Sequence, residues 1–320
     1  MCGFCGFVSS NNQKDQNISI LKKMNNALSH RGPDDEGYHS EDNIFLAHRR
    51  LSILDLSKRS SQPFKSNDKN LILLFNGEIY NYLELKKELK DQNYKFNTTS
   101  DTEVLLACYE IWDIKMLNKI KGMFSFSIID LKKNIIFSAR DHFGQKPFYY
   151  YSDKQNFIFS SELRSLLKNP EIPKKLDYDN TISYFHYDAF VGDTTPIQQC
   201  KKLLPSEYLI YDIKNKTITK NKYWSINLKR NFNDENKINL KIDELLKTSV
   251  KQHLRSDVPV AIYLSGGIDS TSLASIAKKE LKFDNLTAFN LKFNDPTFDE
   301  ETLIENTSCF SRSRHLNEDF

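Results

Sequence analysis

The first two thirds of the chain alternate short apolar runs with polar turns. Runs at 3–8, 44–47, 71–75, 123–129, 134–138, 147–151 and 156–160 have the length and composition of buried strands. Ile18, Leu21, Met24 and Leu28 recur at helical spacing and predict a helix over 18–29. Similar patterns predict helices at 82–90, 101–111 and 161–167. Strand patterns at 207–211 and 217–222 predict a closing hairpin. Many strands with few helices between them imply stacked, largely antiparallel sheets with helices outside.

The texture then changes. Residues 224–239 are polar, rich in Asn, Lys and Asp, and read as a linker. Beyond them the pattern predicts a helix at 240–253, a strand at 258–264, a Gly-Gly turn, a helix at 269–280, a strand at 286–293 and a helical start near Asp299. Strand, helix, strand is the βαβ texture of a parallel sheet. Two strands make a poor sheet, so this region reads as the front portion of a larger domain. The expected division is a first domain over 2–213, a hairpin end and linker over 214–238, and a partial second domain over 239–320.

Length supports two domains, since 320 residues exceed one ordinary domain. Lys and Arg total 45 against 42 Asp and Glu, a net +3 that excludes a strong electrostatic case for nucleic-acid or acidic-membrane partners. No apolar run reaches the roughly 18 residues of a membrane helix, and the N-terminus lacks a basic leader. Five scattered cysteines fit a reduced cytoplasm better than a disulfide scaffold.

Cys2 carries the first candidate chemistry. So small a second residue allows removal of Met1, leaving a thiol beside an α-amine whose pKa of roughly 7.7–8.0 suits a general base. Nucleophile and base on one residue is the N-terminal-nucleophile arrangement. A Cys2–Cys5 zinc or redox pair is the competitor, but Cys108, Cys200 and Cys309 form no second zinc pair. A dithiol site would open a helix rather than sit on a strand.

Further motifs follow. Gly32, Pro33 and Gly37, after His30 and Arg31, read as a helix stop with turn chemistry. Arg50, among apolar neighbours, either pairs with an internal acid or clamps a substrate carboxylate. Asn76-Gly77 is the commonest hairpin turn; equally, an Asn amide beside a Gly N–H makes a two-donor oxyanion hole, with Glu78 available for an amine. Ser100 and Glu103 form a capping box that leaves Asp101 unassigned and able to face an ammonium. Ser265-Gly266-Gly267-Ile268-Asp269-Ser270 follows a strand and opens a helix, as a phosphate cradle does. No Gly-Lys-Ser/Thr follows, so it is not a Walker A loop, and a pyrophosphate-releasing ATP site is what remains.

In this order, together with Arg50-Leu51-Ser52-Ile53 and Ala139-Arg140-Asp141-His142-Phe143-Gly144, the motifs resemble those of the glutamine-hydrolysing asparagine synthetases along essentially the whole chain. The resemblance implies an α+β N-terminal-nucleophile glutaminase, with stacked antiparallel sheets between helices, followed by a partial α/β ATP-pyrophosphatase domain. It implies that Cys2 attacks glutamine, that Asn76 and Gly77 hold the oxyanion, and that Arg50, with Ile53 and Leu54, binds the α-carboxylate. Glu78 and Asp101 would hold the α-ammonium. Leu264, Ser265, Gly266, Gly267, Asp269, Ser270 and Leu291 would bind ATP, with Mg²⁺ accompanying it and no protein metal cluster. Glutamine, aspartate and ATP are the implied partners, with β-aspartyl-AMP attacked by ammonia; a homodimer is compatible. The family's synthetase domain is longer, so this chain is expected to retain glutaminase chemistry alone. Two alternatives stay open: another carboxylate acceptor such as a sugar acid, or a non-catalytic glutamine-binding fragment.

Overall fold

A computed structural model describes residues 1–11, 13–228, 234–284, 286–291 and 313–316. The chain divides into two compact units, Met1–Ile226 and Asn227–Phe320.

The first unit runs β1 (Gly3–Val8), α1 (Lys14–Asn26), β2 (Asp35–Glu41), β3 (Ile44–Arg50), β4 (Phe64–Lys65), β5 (Leu71–Ile79), α2 (Tyr82–Asp91), α3 (Asp101–Trp112), β6 (Gly122–Asp130) and β7 (Ile135–Arg140). It continues through β8 (Tyr149–Ser152), β9 (Phe157–Ser160), α4 (Leu163–Leu166), α5 (Tyr178–Tyr187), β10 (Cys200–Lys202), β11 (Glu207–Asp212) and β12 (Thr217–Lys222). Two six-stranded sheets form, ordered β10-β8-β9-β1-β3-β2 and β12-β11-β7-β6-β5-β4. Every strand pair in them is antiparallel.

Strand alternation explains the layering. Phe4 and Val8 of β1, Ile44 and Leu46 of β3, and Ile72 and Leu74 of β5 meet in the core between the sheets. Cys5, Phe7, Phe45 and Ala47 face the opposite way, onto Leu21 and Met24 of α1. Leu73 and Phe75 turn outward onto α2 and α3. The same parity carries Cys2, His48, Arg50 and Asn76 to the inner faces, and this is what brings them together.

Several expectations change. The segment after the first helix is one short 3₁₀ turn and then β2, which pairs with β3 from Asp35↔Arg50 to Glu41↔Ile44. As a mostly polar edge strand it has no apolar alternation to read. The aromatic α5 also escapes the pattern, because its apolar side chains are largely exposed rather than striped. The hairpin's second strand pairs with β11 along its whole length and stays with the first unit, so that unit extends past 213. The linker expected at 224–239 is shorter, because Asp234 caps a helix starting at Glu235 by accepting from Asn236 N and Lys237 N at 3.0 and 3.4 Å.

The second unit contains α6 (Glu235–His253), β13 (Ala261–Tyr263), α7 (Ile268–Ser275), β14 (Thr287–Leu291) and β15 (Ser313–Leu316). Its sheet is parallel and three-stranded, β13-β14-β15, rather than two-stranded. Ser-Arg-His-Leu has no strand signature of its own, and only pairing defines β15. The helical start near Asp299 lies outside the described residues. Among the described residues no helix is long and apolar enough to cross a membrane.

Candidate active site

Asn76-Gly77 is not a turn. Both residues lie inside β5, opposite Ser125 and Phe124 of β6. The outer edge of β5 gives the site its form. At Leu73 the edge is covered by β4. Further along, the Phe75 N–H donates to Gln62 Oε1 at 2.6 Å and the Ile79 N–H to Asp101 Oδ2 at 3.0 Å. Successive amides of a strand alternate sides, so the Gly77 N–H points to this same edge, between those two. Glycine is required there: a Cβ would stand 2.1 Å from Met123 O, and φ is +155°.

Gly77 opens onto a cleft with a cavity volume of about 60 Å³, which Cys2, Arg50, Ile53, Leu54, Asn76, Glu78 and Asp101 also line. Every glutamine-site residue expected from the sequence is therefore in one place. Asn76 is 1% exposed, and neither its Nδ2 nor its Oδ1 has a hydrogen-bond partner among the described residues. Leaving a buried amide unsatisfied costs about 1–3 kcal/mol.

Three hydrogen bonds from two residues hold Cys2. Leu51 N–H donates to Sγ at 3.3 Å, Sγ donates to Leu51 O at 3.6 Å, and Arg31 Nε donates to Cys2 O at 2.8 Å. Arg31 is itself anchored to Glu162 Oε1 at 2.9 Å. Burial pushes the thiol pKa up, opposed first by the Leu51 N–H. Cys5 lies on the other face of β1, fully buried, its pKa raised to about 12 by desolvation. Among the described residues Cys2, Cys5, Cys108 and Cys200 are free thiols.

Arg50 is buried and donates to Ser57 O at 2.9 Å, Leu54 O at 3.3 Å and Asp55 O. Its visible bonds thus shape the 51–57 loop that carries Ile53 and Leu54. Three of these contacts come from two Nη atoms of a fork with five N–H donors.

Asp101 sits at the first position of α3. Ser100 caps the helix by accepting from Thr102 N at 3.1 Å, but Glu103 departs from the capping-box pattern. It turns upstream to accept from Asn97 N and Thr98 N at 2.8 and 2.6 Å. Burial raises the Asp101 carboxyl to about 7, countered by the Ile79 N–H and reinforced by the charge of Glu78. Asp101 and Glu78 thus line one wall of the cleft, close enough for their charges to interact.

Sequence reasoning passed over Leu51, Gln62, Thr102, Met123 and Lys146, which also line the cleft. Leu51 acts through backbone atoms inside a motif already noticed. Lys146 is brought in by the loop after Arg140-Asp141: Asp141 Oδ2 accepts from Lys146 N at 2.9 Å and Arg140 Nε donates to Lys146 O at 2.7 Å. Its Nζ donates to Met1 Sδ at 2.9 Å. Only three-dimensional proximity reveals it.

In the second unit, residues 264–267 connect β13 to α7. Gly266 has φ +75°, and a Cβ on Gly267 would meet only Ser265 Oγ, at 3.4 Å. Ser265 Oγ and Ser270 Oγ lie 3.2 Å apart, and Ser265 N and Gly267 N reach these hydroxyls at 3.3 and 3.4 Å. Exposed hydroxyls and backbone N–H groups at a helix N-terminus fit phosphate oxygens. Among the described residues no cluster of three or more His, Cys, Asp or Glu could hold a metal ion. Asp269 is exposed beside the loop. The Leu264 side chain is 2% exposed and packs on Ala274 and Ala288. Leu291 closes β14.

Residues 1–224 match the family model described as a glutamine amidotransferase domain, and residues 241–319 the one described as asparagine synthase. Among curated relatives, the putative asparagine synthetase (glutamine-hydrolyzing) 2 of Methanocaldococcus jannaschii is 36% identical over 98% of this chain and 64% of its own. Asparagine synthetase (glutamine-hydrolyzing) 1 of Bacillus subtilis is 35% identical over 97% and 48%. The protein named Amidase chry2 of Gibberella zeae is 31% identical over 98% and 49%. The chain thus spans about half to two thirds of the length of these relatives. A solved structure of glutamine phosphoribosylpyrophosphate amidotransferase from B. subtilis aligns with TM-score 0.50 and 19% identity, covering 95% of this chain and 70% of that one. That likeness is one of fold, the N-terminal-nucleophile amidotransferase arrangement.

Proposed function

The chain belongs to the glutamine-hydrolysing asparagine synthetase family, and from that membership we propose that its first unit hydrolyses glutamine at Cys2 and supplies ammonia for amide synthesis. The observation that carries this reading is the Asn76 amide, buried and unpartnered, in the same cleft as Cys2 and the open edge at Gly77.

Excision of Met1 frees the Cys2 α-amine, which takes the thiol proton as sulfur adds to the amide carbon of glutamine. Because burial disfavours a standing thiolate, proton removal accompanies bond formation. The amide oxygen gains negative charge and accepts from Asn76 Nδ2 and the Gly77 N–H. The amine then protonates the departing nitrogen, the C–N bond breaks, and ammonia leaves a γ-glutamyl thioester. Water, deprotonated by the same amine, adds to the thioester and releases glutamate and the thiol. Throughout, Arg50 faces the α-carboxylate, with Ile53 and Leu54, while Glu78 and Asp101 hold the α-ammonium.

For the second unit we propose that the Ser265–Ser270 loop takes the pyrophosphate of ATP in the activation of aspartate as β-aspartyl-AMP. Mg²⁺ would accompany the ATP.

Glutamate and ammonia release by the purified chain tests the proposal. Release in the absence of ATP, lost in Cys2→Ala, is expected; a wild-type chain that releases none overturns it.

A further inference from the structure

We propose that Gln62, backed by His48, is a positioning residue that sets the oxyanion donors through the Phe75 peptide. This rests on the reading of Asn76 and Gly77 as those donors.

β4 covers β5 only at Ile72 and Leu73, opposite Lys65 and Phe64. The next amide on that edge, at Phe75, is met by a side chain instead. Phe75 N–H donates to Gln62 Oε1 at 2.6 Å and Gln62 Nε2 donates to Phe75 O at 3.2 Å. The Gln62 amide thus replaces a missing strand residue with a two-point pair. His48 Nε2 adds a second bond to Phe75 O at 3.0 Å. A carbonyl only accepts, so Nε2 carries the ring proton. Burial holds the ring neutral, at a pKa of about 4. Both side chains are buried. β2 packs against Gln62 so closely that a Cβ on Gly37 would lie 2.0 Å from Gln62 O.

The Phe75 carbonyl and the Asn76 nitrogen share one rigid peptide plane. Three bonds on the Phe75 groups therefore fix where the Asn76 side chain leaves the strand, and where the Gly77 amide follows. Oxyanion donors work only when held within about 0.5 Å of their productive place.

The test uses the 320-residue chain carrying Gln62→Met or Gln62→Glu, each also combined with Asn76→Ala. For Gln62→Met, kcat for glutamine hydrolysis is expected to fall about tenfold or more, short of the roughly 100-fold for loss of a donor, with KM unchanged. For Gln62→Glu, activity relative to wild type should be best at low pH, where the neutral acid still donates to Phe75 O, and fall as it ionises. Each double variant should lose less than the product of the two single losses, because Gln62 acts partly through Asn76. Losses that multiply, a KM rise matching the kcat loss, or a Gln62→Glu deficit independent of pH would overturn the positioning role. Should Gln62→Met fail to melt cooperatively, the Gln62→Glu pH series decides. A wild-type chain without glutaminase activity fails the functional reading itself, and the positioning role with it.

Discussion

Leu51 holds the Cys2 thiol with both of its backbone polar groups, the N–H at 3.3 Å from Sγ and the carbonyl at 3.6 Å. The thiol proposed as nucleophile is thereby held by the residue next to Arg50, the proposed clamp of the substrate carboxylate. Arg31 fixes the Cys2 carbonyl from the other side.

With Met1 present, the Cys2 nitrogen is a peptide nitrogen and cannot act as a base. Active protein should therefore lack the initiator residue, which intact-mass spectrometry reads directly. Cys2→Ala should abolish hydrolysis without changing the melting temperature by more than a few degrees. Full activity in a species that retains Met1 would sink the α-amine mechanism.

Asn76→Ala and Asp101→Asn should separate kinetically. Loss of one oxyanion donor costs roughly 2.7–4 kcal/mol in the transition state, so Asn76→Ala should lower kcat far more than it raises KM. The α-ammonium is held alike in ground and transition states, so Asp101→Asn should mainly raise KM. Identical kinetic patterns in the two variants would contradict this division of roles.

Glutamine binding should weaken as pH falls through neutrality. The free Asp101 carboxyl, raised to about 7 by burial and by Glu78, is protonated below that pH and loses its attraction for an ammonium. The same shift affects stability. Between the unfolded value near 3.9 and about 7, the folded state holds a proton that the unfolded state has released. This group's contribution to stability is therefore full below about pH 4 and is lost progressively as pH rises to about 7. Asp101→Asn should flatten both dependences; KM profiles and thermal melts from pH 5 to 8 measure them.

Gly77→Ala places a methyl 2.1 Å from Met123 O, so β5 and β6 must separate where the donors sit. Overpacking of this kind costs about 1–3 kcal/mol. The expected result is a lower melting temperature together with a kcat loss. An unperturbed enzyme would show that the close approach is not required.

Oxidants should inactivate through Cys2 alone. Cys5 faces α1 on the opposite side of β1, buried and with its pKa raised to about 12, so it is neither thiolate nor within reach. Cys5→Ser should leave the rate of inactivation by hydrogen peroxide unchanged, and marked protection would refute the separation of the two thiols.

Local pattern by itself determined much of this protein. Apolar runs at 71–75 and 123–129 bury themselves wherever they pair, and helical spacing at 101–111 needs only a face to cover, so these elements were legible. So were Cys2, Arg50, Asn76, Gly77, Glu78 and Asp101 as candidates, because their chemistry is unusual in their local context. Tertiary structure decided the rest. Whether Asn76-Gly77 is a turn or strand interior depends on β6, which lies more than forty residues away in sequence. Polar β2 and β15 are strands only because β3 and β14 satisfy their backbone groups. Gln62 and Lys146 carry no signature in composition or spacing, and Leu51 acts through backbone atoms that no side-chain pattern reports. They belong to the cleft because inner-face parity, one uncovered strand edge and a loop after β7 converge there, and such convergence is a property of packed sheets rather than of any short stretch of chain.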